Sequence, residues 1–170
     1  YSKVGGEISQ TVIQGFTNKA HDGFLGNSVI GEWCNLGAAT NSSNLKLNYS
    51  TIKMWNFHTK KFIDTGLQFC GMIMGDYTKC SIASQFNTGT TVGMGANILG
   101  SGIQKNLIPS FSWGVKQGFI THRIDKMLET TDLVMRRRSK HLEDHQKGIL
   151  KNVFTQTQYE RTWEIRINNE

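Results

Sequence analysis

The sequence predicts an all-β solenoid, in which short parallel strands stack into one core, followed by a helical tail. Three observations support this. Apolar residues recur every sixth position over long stretches, Gly is frequent (18) while Pro occurs once, and the last third of the chain changes to helical spacing. A chain of 170 residues is long enough to bury one such core.

The period of six is clearest in the middle of the chain. Five consecutive units carry a large apolar residue and, four positions later, a small one. The large residues are Met74, Cys80, Phe86, Val92 and Ile98, and the small ones are Thr78, Ser84, Thr90, Ala96 and Gly102. A helix has a period of 3.6 and an exposed strand a period of two, so neither fits as well as a solenoid. A β-sandwich with chance spacing is the alternative.

An earlier run follows the same rule in a shifted phase. Its large residues are Phe24, Ile30 and Leu36, its small ones are Ser28, Cys34 and Thr40, and Gly31 and Gly37 permit the turns. The shift predicts an inserted loop over about residues 42–71. Long loops on solenoids gather on one face and often carry function, whereas a decorative or oligomer-contact loop is the alternative.

The last part of the chain has helical periodicity. A first helix, starting near Gly118 or Thr121, and a second after the basic cluster are predicted from two apolar stripes. The stripes are Ile120, Ile124, Met127, Leu128, Val134 and Met135, then Leu142, Ile149, Leu150, Val153 and Phe154. We expect the helices to cap the open end of the solenoid, and residues 162–167 to form a strand or a frayed end. The predicted division is 1–113 for the solenoid and 114–170 for the tail.

The chain is basic, with a net charge of +6 and a pI of about 9.3. Such a surface attracts anions, among them phosphates, nucleotides and coenzyme A. Arg136, Arg137, Arg138 and Lys140 form a cluster that is either a solvated helix end or a phosphate-binding or polybasic segment. No nucleic-acid-binding module is recognisable, and no segment approaches the ~20 apolar residues of a membrane span.

Cysteine and histidine usage limits the chemistry. Three cysteines without close pairs argue against a disulfide scaffold and favour a cytoplasmic protein. The five histidines share no repeat register, and His141 with His145 supplies only two ligands on one helix face. We therefore expect no metal. A lone His in a turn, such as His21, is by itself more often structural than catalytic.

Two segments are specific enough to suggest a family. Residues 18–27 read NKAHDGFLGN and residues 30–40 read IGEWCNLGAAT. They resemble the acetyltransferase domain of bifunctional N-acetylglucosamine-1-phosphate uridylyltransferases, and most closely a little-characterised subgroup of sugar-nucleotidyltransferase-like proteins. The resemblance runs from about Glu7 to Asn44 and resumes from Met74 to about Gly102.

The resemblance implies a left-handed parallel β-helix, an exception to the usual right-handed crossover. It also implies a homotrimer with active sites between subunits, acetyl-CoA as co-substrate, and an amino-sugar phosphate as acceptor. Neither nucleic acid nor a membrane is an expected partner. A nucleotidyltransferase domain is expected to precede this segment in the full protein.

The resemblance assigns roles to individual residues. His21 matches the general base and Glu7 the carboxylate that polarises it, while Asn35, Asn44 and Phe24 match substrate-contacting positions. The turn at Gly37 and Ala38 matches the donor-binding turn, where a backbone N–H faces the acetyl carbonyl. Acetyl transfer needs a deprotonated amine, donors for the oxyanion and aligned reactants, and a His with a pKa near ~6.5 suits the first task.

Several positions depart from the family pattern. Ser9 stands where the family has a phosphate-contacting Lys, Leu45 and Phe24 stand where it has Tyr, and Ile82 replaces a Ser of the coenzyme pocket. Ser9 and Ile82 favour the alternative interpretation, a non-catalytic domain for trimerisation or for binding a sugar-phosphate effector. His21 with Glu7 favours the enzyme.

Overall fold

The computed structural model describes residues 1–167, with side chains to residue 164. Nineteen strands come first in the chain. They are β1 Lys3–Val4, β2 Glu7–Ser9, β3 Val12–Ile13, β4 Asn18–Lys19, β5 Phe24–Gly26, β6 Val29–Ile30, β7 Asn35–Leu36, β8 Asn41–Ser42, β9 Lys53–Asn56, β10 Lys61–Asp64, β11 Ile73–Met74, β12 Lys79–Cys80, β13 Ser84–Phe86, β14 Thr91–Val92, β15 Asn97–Ile98, β16 Gly102–Ile103, β17 Leu107–Ile108, β18 Ser112–Val115 and β19 Gly118–Thr121. The helices α1 Ile124–Arg136, α2 Asp144–Gln156 and α3 Thr162–Ile167 follow, with a 3₁₀ turn over Gln158–Glu160.

Three parallel sheets form the walls of the solenoid. The first has the order β1-β4-β7-β12-β15-β18-β19, the second β16-β13-β8-β5-β2, and the third β17-β14-β11-β6-β3. Each coil therefore contributes one short strand to each wall. Within the walls that the structure describes, the last pair, β18 and β19, is antiparallel and the other pairs are parallel. The predicted fold class, a left-handed parallel β-helix with an inserted loop and a helical tail, is confirmed.

The interior follows the six-residue rule in the later coils. Met74, Cys80, Phe86, Val92 and Ile98 are all at most 5% exposed, as predicted. In the earlier run, Phe24 is wrong as an interior residue. It is half-buried on the outer surface, and Leu25, at 1% exposure, fills the core instead. The reason is that Leu25 precedes the next interior residue, Ile30, by five positions.

The inserted segment lies between β8 and β11 and forms a two-stranded hairpin of β9 and β10. Its base is anchored by Ile52, which is fully buried. The turn of the hairpin contacts the C-terminal tail, because the Lys60 ammonium lies 3.9 Å from the centroid of the Tyr159 ring. The insertion is therefore held to the rest of the domain at both its base and its turn.

The tail differs from its predicted arrangement. The segment containing Ile120 is a strand, the first helix begins at Ile124, and residues 162–167 are helical, so the expectation of a strand or a frayed end there is wrong. α1 and α2 do not cap the solenoid. They pack along one of its corners, where Trp33 and Phe111 share a cluster with Met127, Met135, Leu142 and Leu150.

Aromatic side chains make that corner apolar. The equivalent turn position is aromatic in four of the five coils, with φ between 57° and 61°, and is Gly95, with φ 65°, in the fourth coil. The aromatic residues are Phe16, Trp33, Tyr77 and Phe111. The Phe16 and Trp33 rings stack with centroids 4.2 Å apart. An amphipathic helix buries its apolar stripe most readily against such a ridge. Within the described residues, no helix is long and apolar enough to cross a membrane.

Candidate active site

His21 lies on a corner where the backbones of three coils touch. A Cβ on Gly5 would lie 2.4 Å from the Ala20 carbonyl oxygen, and one on Gly23, which has φ +108°, would lie 2.1 Å from the Thr40 oxygen. Only residues without side chains fit between these coils. The close stacking fixes the path of the turn that carries His21, whose side chain is exposed.

A buried lysine holds the same turn from inside. Lys19 is 1% exposed and stands at an interior position, next to Leu36 of the following coil. Its ammonium donates hydrogen bonds to the carbonyls of Gly5 (3.2 Å), His21 (2.6 Å) and Asp22 (2.8 Å). Burial lowers the pKa of Lys19, and the Asp22 carboxylate acts in the opposite direction. The side chain thus ties the first coil to the His21 turn.

An open cavity of about 400 Å³ lies beside His21 on the outer face of the first sheet. It brings together four of the residues predicted for the site: His21, Asn35, Gly37 and Ala38. The remaining lining residues are Lys3, Asn18, Ala20, Leu36, Ile82 and Arg137. The cavity therefore joins a potential base, an amide side chain and a backbone turn.

The two N–H groups of the turn differ. The Gly37 N–H donates to the Cys80 carbonyl at 3.1 Å, so it is occupied. The Ala38 N–H makes no hydrogen bond with any residue that the structure describes. A Cβ on Gly37 would lie 2.5 Å from the Ile82 nitrogen, so this glycine is required by the close approach of the next coil. Ala38 is the donor available to an oxyanion.

The other predicted residues lie on the neighbouring face. Glu7 pairs in register with Phe24 on the second sheet, and neither lines the His21 cavity. Among the described contacts, no hydrogen bond joins Glu7 to His21. Asn44 donates to Asn27 Oδ1 at 2.7 Å and lies near the Phe24 ring above Gly26. Within one chain, the predicted site residues therefore lie on two adjoining faces of the solenoid, formed by the first and second sheets.

Three polar residues of the cavity were not predicted from the sequence as part of the site: Lys3, Asn18 and Arg137. Two of them, Lys3 and Asn18, pair in register on β1 and β4, and Asn18 pairs with Asn35 on β7. Lys3, Asn18 and the predicted Asn35 therefore form one outward-facing column. This column can be predicted from the sequence only when the positions of the interior residues in the first coils are known. Arg137 follows α1 and arrives from the tail. Ile82, which stands where the family pattern has a Ser, lines the cavity and is 69% exposed.

The cysteines do not offer a nucleophile. Cys34, Cys70 and Cys80 are buried free thiols. Burial raises the pKa of Cys34 to about 12 and also raises that of Cys80, so neither is a thiolate near neutral pH. In the part of the chain that the structure describes, no three His, Cys, Asp or Glu residues are grouped to hold a metal ion.

No family model matches the chain, and a search of curated proteins finds a similar sequence. Bifunctional protein GlmU of Methanocaldococcus jannaschii is 33% identical over 87 residues, which are 51% of this chain and 21% of that protein. The match thus spans about a fifth of the relative's length. It confirms the resemblance to the bifunctional family, without testing the subgroup, and agrees with the hexapeptide-repeat β-helix described above.

Among solved structures, AntD, an N-acyltransferase from Bacillus cereus in complex with dTDP and 3-hydroxybutyryl-CoA, is similar over 79% of this chain and 86% of its own. The TM-score is 0.38 and the sequence identity 11%. A likeness at this level does not bear on function.

Proposed function

We propose that this domain transfers an acetyl group from acetyl-CoA to the amine of an amino-sugar phosphate, with His21 as general base. The observation that carries the proposal is the single cavity that holds His21, Asn35 and the unoccupied N–H of Ala38. A base, a polar group for the acceptor and a donor for the oxyanion are the elements that acyl transfer requires.

In the proposed reaction, the acceptor amine attacks the thioester carbonyl carbon while His21 removes one amine proton. The carbonyl oxygen becomes an oxyanion and accepts a hydrogen bond from the Ala38 N–H. Collapse of the tetrahedral intermediate breaks the C–S bond, and the imidazolium returns the proton to the departing thiolate. The products are the amide and free coenzyme A. Asn35, at the same cavity, orients the sugar.

A homotrimer is part of the proposal, because the predicted residues lie on two adjoining faces of one chain. A site shared between subunits would unite the His21 cavity of one chain with the Glu7, Phe24 and Asn44 face of another. Light scattering on the purified domain tests this, and a monomer at micromolar concentration contradicts it.

The test of the activity is thiol release from acetyl-CoA with glucosamine 1-phosphate and a small panel of other amino-sugar phosphates. The wild type is compared with His21→Ala and with the matched control His58→Ala. His58 is exposed in the hairpin turn and does not line the cavity. We expect a loss of about 10²–10⁴-fold in kcat for His21→Ala and no change for the control. Equal turnover in all three proteins contradicts the assignment of the base.

A second candidate function is a non-catalytic domain that trimerises the protein or binds a sugar-phosphate effector. The observation in its favour is that no hydrogen bond joins Glu7 to His21 among the described residues, while the exposed Ile82 lines the cavity. No turnover with any acceptor, together with no binding of coenzyme A by calorimetry, would favour this candidate.

A further inference from the structure

A second cavity continues the first along the outer face of the solenoid. It measures about 220 Å³ and shares Lys3, Asn18 and Arg137 with the His21 cavity. Its other lining residues are Phe16, Trp33, Val134 and Arg138. The two cavities form one groove, which we call the tail groove, running from His21 to the C-terminal end of α1.

The tail groove is positively charged. Lys3, Arg137 and Arg138 line it, and no aspartate or glutamate among the residues that the structure describes lines either cavity. Neither arginine forms an ion pair within the described part of the chain, whereas the adjacent Arg136 pairs with Asp132 at 2.7 Å. Cations that converge on a concave surface without a counter-charge attract anions to it.

The end of α1 is held in place by packing. Met135 is buried beside Trp33, and Val134 packs against the same cluster. The chain then leaves the helix through Ser139, at φ +54°, and the amides of Arg138 and Lys140 both donate to the Met135 carbonyl, at 2.8 and 3.1 Å. The backbone that carries the two arginines is therefore fixed against the coils that carry Lys3 and Asn18.

We infer that the tail groove is an anion subsite that binds a phosphate group of a reactant seated at His21. This inference rests on the proposed function and extends it. Two planar guanidinium groups and an ammonium are the donors best suited to phosphate oxygens, because each guanidinium offers two parallel N–H groups. The phosphate belongs either to the sugar acceptor or to the nucleotide end of coenzyme A, and the two sources are separable by experiment.

The experiment compares two variants that each remove two charges from the same basic cluster. Arg137→Gln/Arg138→Gln empties the groove of its arginines, and Arg136→Gln/Lys140→Gln is the matched control outside it. Calorimetry measures binding of glucosamine 1-phosphate, adenosine 3′,5′-bisphosphate and inorganic phosphate, with glucosamine as the probe lacking phosphate. Thermal unfolding checks that both variants fold, and the single variant Arg137→Gln is the substitute if the double variant does not.

We expect the groove variant to lose at least tenfold in affinity for one phosphorylated probe, with the control within twofold of wild type. A loss confined to glucosamine 1-phosphate assigns the subsite to the acceptor, and a loss confined to the bisphosphate assigns it to the donor. Equal losses in both variants, or no binding of any phosphorylated probe by the wild type, overturns the inference. Because binding is measured without turnover, an intact subsite in a protein without acyl transfer would refute the proposed reaction alone.

Discussion

Replacing Lys19 with methionine separates the positioning of His21 from the stability of the fold. The side chains have similar length and volume, so the interior stays filled, while three hydrogen bonds to the carbonyls of Gly5, His21 and Asp22 are lost. We expect the His21 turn to loosen while the solenoid remains folded.

The magnitudes follow from two opposing contributions. Hydrogen bonds to a charged group contribute about 1.5–3 kcal/mol each, but burying an ammonium costs several kcal/mol. The lowered pKa of Lys19 indicates that desolvation outweighs the stabilisation of its charged form. We therefore expect Lys19→Met to change the free energy of unfolding by less than about 1.5 kcal/mol. A displacement of the base by about 1 Å costs up to about 10²-fold in rate, so kcat should fall about 10- to 100-fold.

Three measurements test this prediction. Urea unfolding gives the stability, the acetyl-CoA assay gives kcat and KM, and hydrogen exchange reports the protection of the Gly5 and Glu7 amides, which donate to the Lys19 and Gly23 carbonyls at the turn at 2.7 and 3.2 Å. We expect a lower kcat at an unchanged KM and faster exchange at the turn. The variant Lys19→Met/His21→Ala should be no slower than His21→Ala, because the lysine acts through the base. Wild-type kcat together with wild-type exchange at the turn would refute the reasoning, and the exchange result stands even in a protein without turnover.

Further predictions concern stability and can be checked by urea unfolding. The His122 Nδ1 lies 2.9 Å from the Gly95 carbonyl oxygen, and burial lowers the pKa of this imidazole. Just below about pH 6.5, the imidazole therefore gains a proton in the unfolded chain while it stays neutral in the folded protein. Stability should fall on acidification, by at most about 1.4 kcal/mol per pH unit, and His122→Gln should flatten the slope between pH 7.5 and 5.5; an unchanged slope contradicts this. Gly148→Ala should stabilise by about 0.5–1 kcal/mol, because the added Cβ meets nothing within 4 Å in an exposed helix. Gly71→Ala should destabilise by about 1–3 kcal/mol, since its Cβ would lie 2.0 Å from the Gly26 oxygen; a stable variant would contradict the coil spacing.

The core of the later coils was predictable because each interior position there is apolar and six residues from the next. The rule fails where either condition lapses. The interior residue Lys19 is charged, so hydropathy does not find it, and the step from Leu25 to Ile30 is five residues, so a strict period selects Phe24 instead. Both exceptions adjoin the turn that carries His21. Departures from the repeat are expected at functional sites, in agreement with the role proposed for His21.

The candidate site was predictable only in part. His21, Asn35 and Ala38 lie within one continuous motif, and register in the β-helix brings residues about one coil apart onto the same outer face. Arg137 is remote in sequence, and its place at the cavity depends on where α1 docks. From the basic cluster alone, the sequence favoured a solvated helix end over a phosphate-binding or polybasic segment.

The position of the tail follows from the turns of the solenoid. Each coil places a residue with positive φ at the same corner. In four of the five coils that residue is aromatic, including Phe16, Trp33 and Phe111, and in the fourth coil it is Gly95. A ridge of this size would expose much apolar area to water, and the stripes of α1 and α2 cover it. A helix laid along the ridge from Phe111 toward Phe16 ends beside the first coils, where Lys3 and His21 lie. The packing that stabilises the tail therefore also places Arg137 and Arg138 in the tail groove. Removing the tail should take both arginine charges from the groove and lower the stability of the domain.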